Sequence, residues 1–452
     1  MLDTSMKLMR IAFKKFCDAK QVQHKSFQLL CTQVGKNAGI PQLEVDTEYL
    51  CNIKHKLEIE ENIKFRKGVG NITRVHELHD KLLNSSLSVK EKDDVWREFI
   101  QEAKQIPNKT CPLVFHYGET PKTIKLTGIK AQFDFKPKEF SEIVKYLHLM
   151  RSENLSNLSG HKSYYFMGEL AELEHALILY TVEKLLARNF QLISVPDILQ
   201  NHVIESCGMN IKGDRTQVYM LDDNLYKEDY CLSGTAEMAL ARYVMNKELC
   251  MTKLPLKLAA VSRCYRAETS RTSEERGIYR VHQFTKVEMF GVTENDGSST
   301  LLEELRELQE ETFASLGLHF QTLDMPPHEL GAPAFRKYDI EAWMPGRQIF
   351  GEVSSCSDCT DYQSRRLNIK YCTRTGQLLH AHTVNGTACA VPRMLIALLE
   401  THQQADGTVS IPKTLQPYMK GKSSIGIQKN IPEMKFVKSK QREAKTKSYD
   451  RD

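Results

Sequence analysis

The chain has 452 residues, more than one ordinary domain and enough for a large domain of about 250 residues with appendages. Hydrophobic residues make up 41% of it, which suffices for a substantial core, yet no stretch approaches the ~20 consecutive apolar residues of a membrane span, so we expect no membrane contact. The net charge of +5 divides into +5 over residues 1–36, +6 over residues 417–452 and −6 between them, a pattern that suits nucleic-acid contact but equally targeting or solubility.

The first 20 residues combine basic and apolar side chains. Apolar residues recur from Leu2 to Phe16, and the basic residues of this stretch are Lys7, Arg10, Lys14, Lys15 and Lys20. Such a basic, amphipathic segment is typical of a mitochondrial transit peptide, although Asp3 and Asp18 depart from the pattern and an ordinary N-terminal helix is the alternative. Residues 1–36 are therefore predicted to be a mitochondrial presequence or a flexible N-terminus.

Residues 37–110 carry helical periodicity in separate segments. The apolar stripes are Leu50, Ile53, Leu57 and Ile63; Val75, Leu78 and Leu82; and Trp96, Phe99, Ala103 and Ile106. Their spacing predicts amphipathic helices, with a break at Gly68 to Gly70 and an end before Pro107. This part is therefore predicted to consist of short, interrupted helices.

A longer helix is predicted after a connecting segment, residues 111–160. Between residues 169 and 188 the apolar side chains at helical spacing are Leu170, Leu173, Leu177, Tyr180 and Leu185. This pattern predicts a core helix. A short strand with Pro196 is predicted to follow, and proline in a strand suits a sheet edge or an interface because it cannot donate to the ladder.

The region from Arg263 to Glu288 predicts two amphipathic strands that share one charged face. Side chains alternate between the faces of a strand. One parity holds Arg266 and Glu268 in the first arm and Arg280, His282, Phe284, Lys286 and Glu288 in the second. The opposite parity suits a core and holds Val261, Tyr265, Val281, Val287 and Met289. From the pattern alone, a solvated charged face is the ordinary interpretation.

The 12 cysteines occur without a secretory signal or a compact disulfide spacing, so reduced thiols are expected. Cys356 and Cys359 form a C-x-x-C motif, and the further candidate zinc ligands downstream are Cys372, His380 and His382. Zinc sites ordinarily have a second closely spaced pair, and the sequence offers none here. A zinc site is therefore the less favoured alternative.

Four blocks follow one another in the second half of the chain: GTAE (234–237), RCYRAETSRTSEERGIYRVHQFTKVE (263–288), FGEVSSCSDCTDYQSRR (350–366) and TVNGTACAVPRMLIALLE (383–400). Together they resemble the seryl-tRNA synthetases among the class II aminoacyl-tRNA synthetases. RAETS and KVEMFGVT look most like the animal mitochondrial branch. The resemblance is strong over residues 159–416 and weak before them.

This resemblance implies an α+β fold. A class II catalytic domain, an antiparallel sheet flanked by helices, would span residues 161–416. A helical, coiled-coil-like, tRNA-binding arm over residues 37–110 would precede it, although the predicted helices are short for that arm. Residues 417–452 would be a basic flexible tail, with tRNA contact as the alternative. The helix before Pro196 resembles the element through which these enzymes form homodimers.

The implied reaction is activation of L-serine by ATP to seryl-adenylate, followed by transfer to tRNA(Ser), in the mitochondrial matrix. It requires positioning of the serine carboxylate and stabilisation of phosphate charge by arginines and Mg²⁺. By resemblance, Arg266 would contact the α-phosphate, Glu268 the adenine amino group, and Phe284 would stack on the adenine. Arg280 matches a second arginine of the ATP site.

The remaining matched residues complete the implied site. Glu352 and Ser355 would hold Mg²⁺, whose preferred ligands are oxygens. Arg393 follows Pro392 at the start of an apolar helix and would meet the γ-phosphate. Arg266, Glu352 and Arg393 are the catalytic candidates. The serine pocket would comprise Thr235, Glu237, Arg266, Glu288, Asn385 and Thr387.

Two alternatives to this function remain open. One is a catalytically inactive, synthetase-like paralogue that binds RNA or a protein partner; it would be expected to have lost some of the catalytic candidates, and all are present. The other is a class II enzyme for threonine or proline, which would lack the HQFTKVE block. The loop at residues 270–277 is one residue shorter than usual in the family, so the largest departures are expected there.

Overall fold

A computed structural model of the chain describes residues 39–84, 86–152, 162–211, 216–222, 224–225, 229–268 and 277–429. The predicted presequence, the tail beyond residue 429 and most of the shortened loop lie outside these ranges. None of the helices formed by the described residues is long and apolar enough to cross a membrane.

The strands build one large sheet and several small ones. In chain order they are β1 (Lys122–Thr127), β2 (Met150–Arg151), β3 (Tyr165–Phe166), β4 (Gln191–Leu192), β5 (Ile198–Gln200), β6 (Tyr230–Leu232), β7 (Glu248–Cys250), β8 (Leu256–Tyr265), β9 (Gln283–Thr293), β10 (Phe320–Asp324), β11 (Arg336–Met344), β12 (Ile349–Thr360), β13 (Lys370–Cys372), β14 (Leu378–His380), β15 (His382–Ala390), β16 (Val409–Ser410) and β17 (Ser424–Ile425). The large sheet has the order β1-β10-β11-β12-β15-β9-β8-β4. Its neighbours are antiparallel, apart from the parallel pair β4 and β8 at one edge.

The helices flank this sheet or precede it. They are α1 (Thr47–Leu50), α2 (Lys56–Phe65), α3 (Ile72–Leu83), α4 (Val89–Gln105), α5 (Phe140–Tyr146), α6 (Glu169–Ala187), α7 (Asn201–Ser206), α8 (Ala236–Tyr243), α9 (Ser298–Ser315), α10 (Tyr362–Leu367) and α11 (Val391–His402). The predicted combination of an antiparallel sheet and flanking helices is therefore present.

Two hydrophobic cores cover β8 and β9, one on each face. Val287 and Met289 pack with α6, α9 and α11 on the first face, as their parity predicted. On the second face, Phe290 packs with α7 and α8. Because both faces are covered, the charged residues of β9 are not solvated, and Lys286 and Glu288 are 6% and 2% exposed. Charges buried in this way need partners.

The N-terminal helices form a small bundle with its own core. The second predicted stripe is confirmed, and so are the buried positions Phe99, Ala103 and Ile106 of the third. The first stripe is wrong at Ile53 and Leu57, which are 70% and 78% exposed. The cause is an interruption after α1: Asn52 caps a separate 3-10 turn, so the helical phase does not continue from Leu50 to Leu57.

Arg66 joins this bundle to the sheet-containing part of the chain. Its guanidinium is buried and donates to the Ala334 carbonyl at 2.9 Å, to the Ala332 carbonyl at 3.2 Å and to Thr110 Oγ1 at 3.0 Å. Desolvation lowers the pKa of Arg66 to about 10. The longest helix of the bundle, α4, has 17 residues and is about 25 Å long. The described helical part is therefore short, and the contacts of Arg66 hold it against the sheet-containing part.

Helix α6 and strand β4 form the edge of the large sheet opposite β1. The predicted core stripe of α6 is confirmed, because all of its apolar members are buried. The prediction of Pro196 within a strand is wrong: β4 ends at Leu192, and Pro196 lies in the connection to β5. The outer side of this edge is apolar and exposed at Leu179, Leu186, Leu192 and Ile198.

Candidate active site

A cleft of about 590 Å³ opens above β9, β12 and β15. It is lined by eight of the predicted site residues, namely Arg266, Glu268, Arg280, Phe284, Glu352, Ser355, Thr387 and Arg393. These residues come from three separate blocks within residues 266–393. The other four, Thr235, Glu237, Glu288 and Asn385, do not line it; hydrogen bonds link Glu288 to Thr387 and Asn385 to Glu237.

The first wall of the cleft continues the hairpin beyond β8 and β9. The backbone N–H of Arg266 donates to the His282 carbonyl at 2.9 Å, which extends the pairing of the two arms. The Arg266 guanidinium carbon lies 5.3 Å from the centre of the Phe284 ring. Glu268 is 7% exposed, and its carboxylate lies 3.6 Å from Arg280 Nη1. Cationic, anionic and aromatic groups thus occupy one wall together.

A β-bulge in β12 brings Glu352 and Ser355 to the same face. In a regular strand, residues three positions apart project to opposite faces. The pairing with β11 shifts between Glu352 and Ser354, so Val353 is an extra residue without a partner across the ladder. Such an extra residue shifts the alternation by one. Glu352 and Ser355 can therefore face the cleft together.

Arg393 lies in the first turn of α11, directly after Pro392, as predicted. Its Nη1 lies 3.4 Å from Glu352 Oε1, and its Nε donates to the Tyr279 carbonyl at 3.2 Å. Desolvation acts to raise the pKa of Glu352, but the positive charges of Arg393, Lys337 and Arg266 outweigh it and lower that pKa. Glu352 is therefore ionised at neutral pH.

The residues predicted to bind serine form a second cluster below the cleft. Thr235 caps α8, where its hydroxyl accepts from the Glu237 N–H at 3.4 Å. Glu237 Oε1 accepts from Asn385 Nδ2 at 3.0 Å. Desolvation raises the pKa of Glu237 to about 7, and the nearby charge of Glu288 adds to this rise.

Glu288 is the second buried acid of this cluster. Its Oε2 lies 2.7 Å from Lys286 Nζ and accepts from Thr387 Oγ1 at 3.2 Å. Because Lys286 and Thr387 also line the cleft, they connect the two clusters. The predicted charged face of β9 is therefore a buried network of ion pairs and hydrogen bonds.

Sequence reasoning missed three residues of this region. Lys286 was placed on the charged face but not in the site. The centre of the Tyr279 ring lies 4.6 Å from the Arg393 guanidinium carbon. Gln363 donates a hydrogen bond to Glu237. Lys286 lies two positions before the predicted ligand Glu288, on the same face of the strand, and this spacing was a usable signal. Gln363 lies within the matched block at residues 350–366, but its contact with Glu237 could not be predicted because the two residues are 126 positions apart.

The C-x-x-C motif does not converge on one point. Cys356 lies in the core on one face of the sheet, whereas Cys359 Sγ accepts from Asn385 Nδ2 at 3.4 Å. Among the described residues, no group of three or more His, Cys, Asp or Glu side chains is arranged to hold a metal ion. The geometry therefore gives the zinc alternative no support.

Comparison with known proteins identifies the class of this fold and cleft. A model of the tRNA synthetase class II core domain (G, H, P, S and T) matches residues 219–402. The chain is also similar in structure to the cytoplasmic serine-tRNA ligase of Naegleria fowleri, solved in complex with AMP. That match has a TM-score of 0.75 and 25% identity, and it covers 84% of this chain and 98% of the other. The predicted class II synthetase fold is confirmed.

Sequence relatives narrow the class to one family. The chain is 38% identical over 368 residues to the serine–tRNA ligase of Borreliella afzelii, which covers 79% of this chain and 85% of that protein. It is 50% identical over 325 residues to the mitochondrial serine–tRNA ligase of Mus musculus, or 71% of this chain. The chain therefore belongs to the serine–tRNA ligase family. It spans 62% of the length of the mouse relative.

Proposed function

We propose that the protein is a seryl-tRNA synthetase, which activates L-serine with ATP and transfers it to tRNA(Ser) in mitochondrial translation. The observation that carries the proposal is the convergence of the separate sequence blocks on one cleft with every catalytic candidate intact. Arg266, Glu352 and Arg393 lie around the same space. A degenerate paralogue would be under no requirement to keep these charges together, so the inactive alternative is disfavoured.

Adenylate formation suits this arrangement of charges. An oxygen of the serine carboxylate attacks the α-phosphorus, the bond to the β-phosphate oxygen breaks, and pyrophosphate leaves. The protein supplies no nucleophile; it positions both substrates and stabilises negative charge. In the proposal, Arg266 contacts the α-phosphate and Arg393 the γ-phosphate, while Phe284 stacks on the adenine. Arginine is suited to phosphate because its planar fork can donate two hydrogen bonds at once.

Glu352 and Ser355 are proposed to hold Mg²⁺. The donor set fits the ion, because both side chains offer oxygen and Mg²⁺ ordinarily takes one or two carboxylates together with substrate phosphates. The side chain of Glu352 is 39% exposed, so its carboxylate is accessible from the cleft. When bound, the ion would neutralise charge on the phosphates of ATP.

Selection of serine is assigned to the cluster below the cleft. Glu237 and Glu288 offer two carboxylates in different environments. Such carboxylates are suited to accept hydrogen bonds from the ammonium and hydroxyl groups of serine. Asn385 donates to Glu237 and Thr387 to Glu288, and Thr235 caps α8. A pocket that pairs a hydroxyl strongly rejects a substrate without one, because its own polar groups would be left unpaired.

The assembly and location are proposed on less direct support. Exposed apolar residues on α6, β4 and β5 suit burial in a homodimer interface, with the Pro196 connection beside them. The mouse relative is named as mitochondrial, which favours import of this protein, with the matrix as its destination. The N-terminal helical bundle is the candidate for the tRNA contact.

The decisive test is serine-dependent exchange of labelled pyrophosphate into ATP, followed by charging of mitochondrial tRNA(Ser). We expect exchange with serine and not with threonine or proline. Folded protein that binds ATP without catalysing exchange would favour the inactive paralogue instead. Exchange with threonine or proline alone would point to the other class II specificity.

A further inference from the structure

A buried glutamine contacts the serine-pocket acid from below. Gln363, in α10, is fully buried, and its Nε2 donates to Glu237 Oε1 at 2.7 Å. The oxygen of the same amide, Gln363 Oε1, accepts from Thr383 Oγ1 at 2.7 Å, and Thr383 is fully buried too. Because the Thr383 hydroxyl occupies the amide oxygen, the amide NH₂ is directed at Glu237.

The donors that reach Glu237 meet on one oxygen. Gln363 Nε2 and Asn385 Nδ2 both donate to Oε1, at 2.7 Å and 3.0 Å. Glu288 shows the same pattern, since Lys286 and Thr387 both contact its Oε2. In each acid these two partners engage the same oxygen, so neither of them occupies the opposite oxygen.

The charge on Glu237 depends on these neighbours. Burial disfavours the ionised carboxyl, the negative charge of Glu288 adds to this effect, and the Gln363 amide opposes both. The titratable and charged groups around Glu237 are Arg266, Lys286, Glu288, Cys207 and Cys359. An ammonium ligand requires Glu237 in its ionised form.

We propose that Gln363 is a positioning residue for serine: it holds Glu237 through Oε1, so that the ionised Oε2 faces the substrate ammonium, and Thr383 fixes the orientation of the amide. The inference rests on the proposed function and adds a residue that does not itself touch the substrate. Gln363 therefore acts on the serine side of the reaction and leaves ATP binding alone.

The test is the Gln363→Met variant, which keeps the length of the side chain and removes the amide. In pyrophosphate exchange we expect kcat/KM for serine to fall about ten- to hundredfold, the loss typical of a buried hydrogen bond to a charged group, with KM for ATP unchanged. The pKa of Glu237 should rise without the amide, so the acid limb of the serine pH profile should move to higher pH by about one unit.

Two further variants separate positioning from packing. Thr383→Val keeps Gln363 but releases its amide, and we expect a smaller change in the same direction. Gln403→Met is the matched control, because Gln403 is also a buried glutamine, bonded to the Lys138 and Glu400 carbonyls away from Glu237. It should lower the melting temperature without a change in the serine profile.

The proposal is overturned if Gln363→Met leaves KM for serine and the pH profile unchanged, or if Gln403→Met reproduces its effect. Binding of a non-hydrolysable seryl-adenylate analogue, measured by calorimetry, distinguishes this failure from failure of the proposed function. A wild-type protein that binds the analogue without exchange would refute the function alone, and weaker binding by Gln363→Met would still support the positioning role. No binding by the wild type would refute both.

Discussion

At the scale of the residue, Arg266 occupies the junction of the two clusters. Its side chain lines the cleft, lies over Phe284 and donates to the Gly234 carbonyl at 3.4 Å, at the start of the serine-pocket block. Its charge favours the ionised form of both Glu237 and Glu352, although burial and the charge of Glu288 keep the pKa of Glu237 raised. We therefore expect this one cation to act on both the proposed serine pocket and the proposed phosphate site.

Arg266→Ala should abolish pyrophosphate exchange, because the α-phosphate would lose its proposed partner. We expect a fall of at least about a thousandfold, as for removal of a strong transition-state contact. The melting temperature and the oligomeric state should match those of the wild type. Retained exchange in this variant would refute the proposed phosphate role.

Glu237→Gln should separate stability from activity. The raised pKa means that the folded state binds the proton more tightly than the unfolded state, so ionisation costs stability as pH rises between about 4.5 and about 7. Glutamine removes this cost. The variant should be more stable than the wild type by about 1–3 kcal/mol at pH 8 and similar to it near pH 4.

Urea unfolding at the two pH values measures the difference. Exchange assays should show that serine activation is lost in the same variant. If the variant and the wild type differ in stability by the same amount at pH 4 and at pH 8, the raised pKa of Glu237 is contradicted.

At the scale of the element, the sequence predicted what depends on periodicity and missed what depends on distant partners. The sequence predicted the buried face of Val287 and Met289 and the buried stripe of α6, because in both cases the apolar residues recur at short, regular spacing. The bulge at Val353 was not, since it exists only relative to β11. The error at Leu57 has a local cause, the Asn52 cap, which interrupts a stripe that spacing alone made continuous.

A buried arginine, Arg66, contributes to the attachment of the bundle of α2 to α4. Replacing Arg66 by Met would remove the guanidinium donor of the Ala334 carbonyl and one of the two donors of the Ala332 carbonyl, and we expect a loss of about 2–4 kcal/mol. Arg74→Met is the matched control in the same bundle, because Arg74 pairs with Glu77 and Glu98 at the surface. It should cause no comparable loss.

Denaturant unfolding and limited proteolysis report on this attachment. In Arg66→Met, the first cleavages should fall within residues 39–110. Equal protease resistance in the two variants would refute the attachment role of Arg66.

At the scale of the whole molecule, the two edges of the large sheet differ in their surroundings. The β4 edge adjoins α6 and presents the apolar residues Leu179, Leu186 and Leu192, whereas β1 is exposed along most of its length. Both edges carry exposed apolar groups, so apolarity alone does not select the interface. Helix α6, strand β4 and the connection that contains Pro196 follow one another along the chain, and this continuity favours the β4 edge as the proposed dimer interface.

Leu186→Glu should convert a dimer into a monomer, because a carboxylate would be buried without a partner in the proposed interface. Ile129→Glu is the control, since Ile129 is 90% exposed next to the β1 edge. Analytical ultracentrifugation at micromolar concentration distinguishes the outcomes. A dimer that survives Leu186→Glu but dissociates with Ile129→Glu would place the interface at the opposite edge.

The extra residue at Val353 has a consequence for how this cleft tolerates change in chain length. Removing that one residue would restore strict alternation and leave Glu352 and Ser355 two positions apart, so the two side chains would still share a face. A spacing of three residues between the two positions needs the bulge, whereas a spacing of two needs a regular strand. Relatives that gain or lose a residue between the positions of Glu352 and Ser355 should therefore be grouped by whether this spacing is odd or even before their ligands are compared.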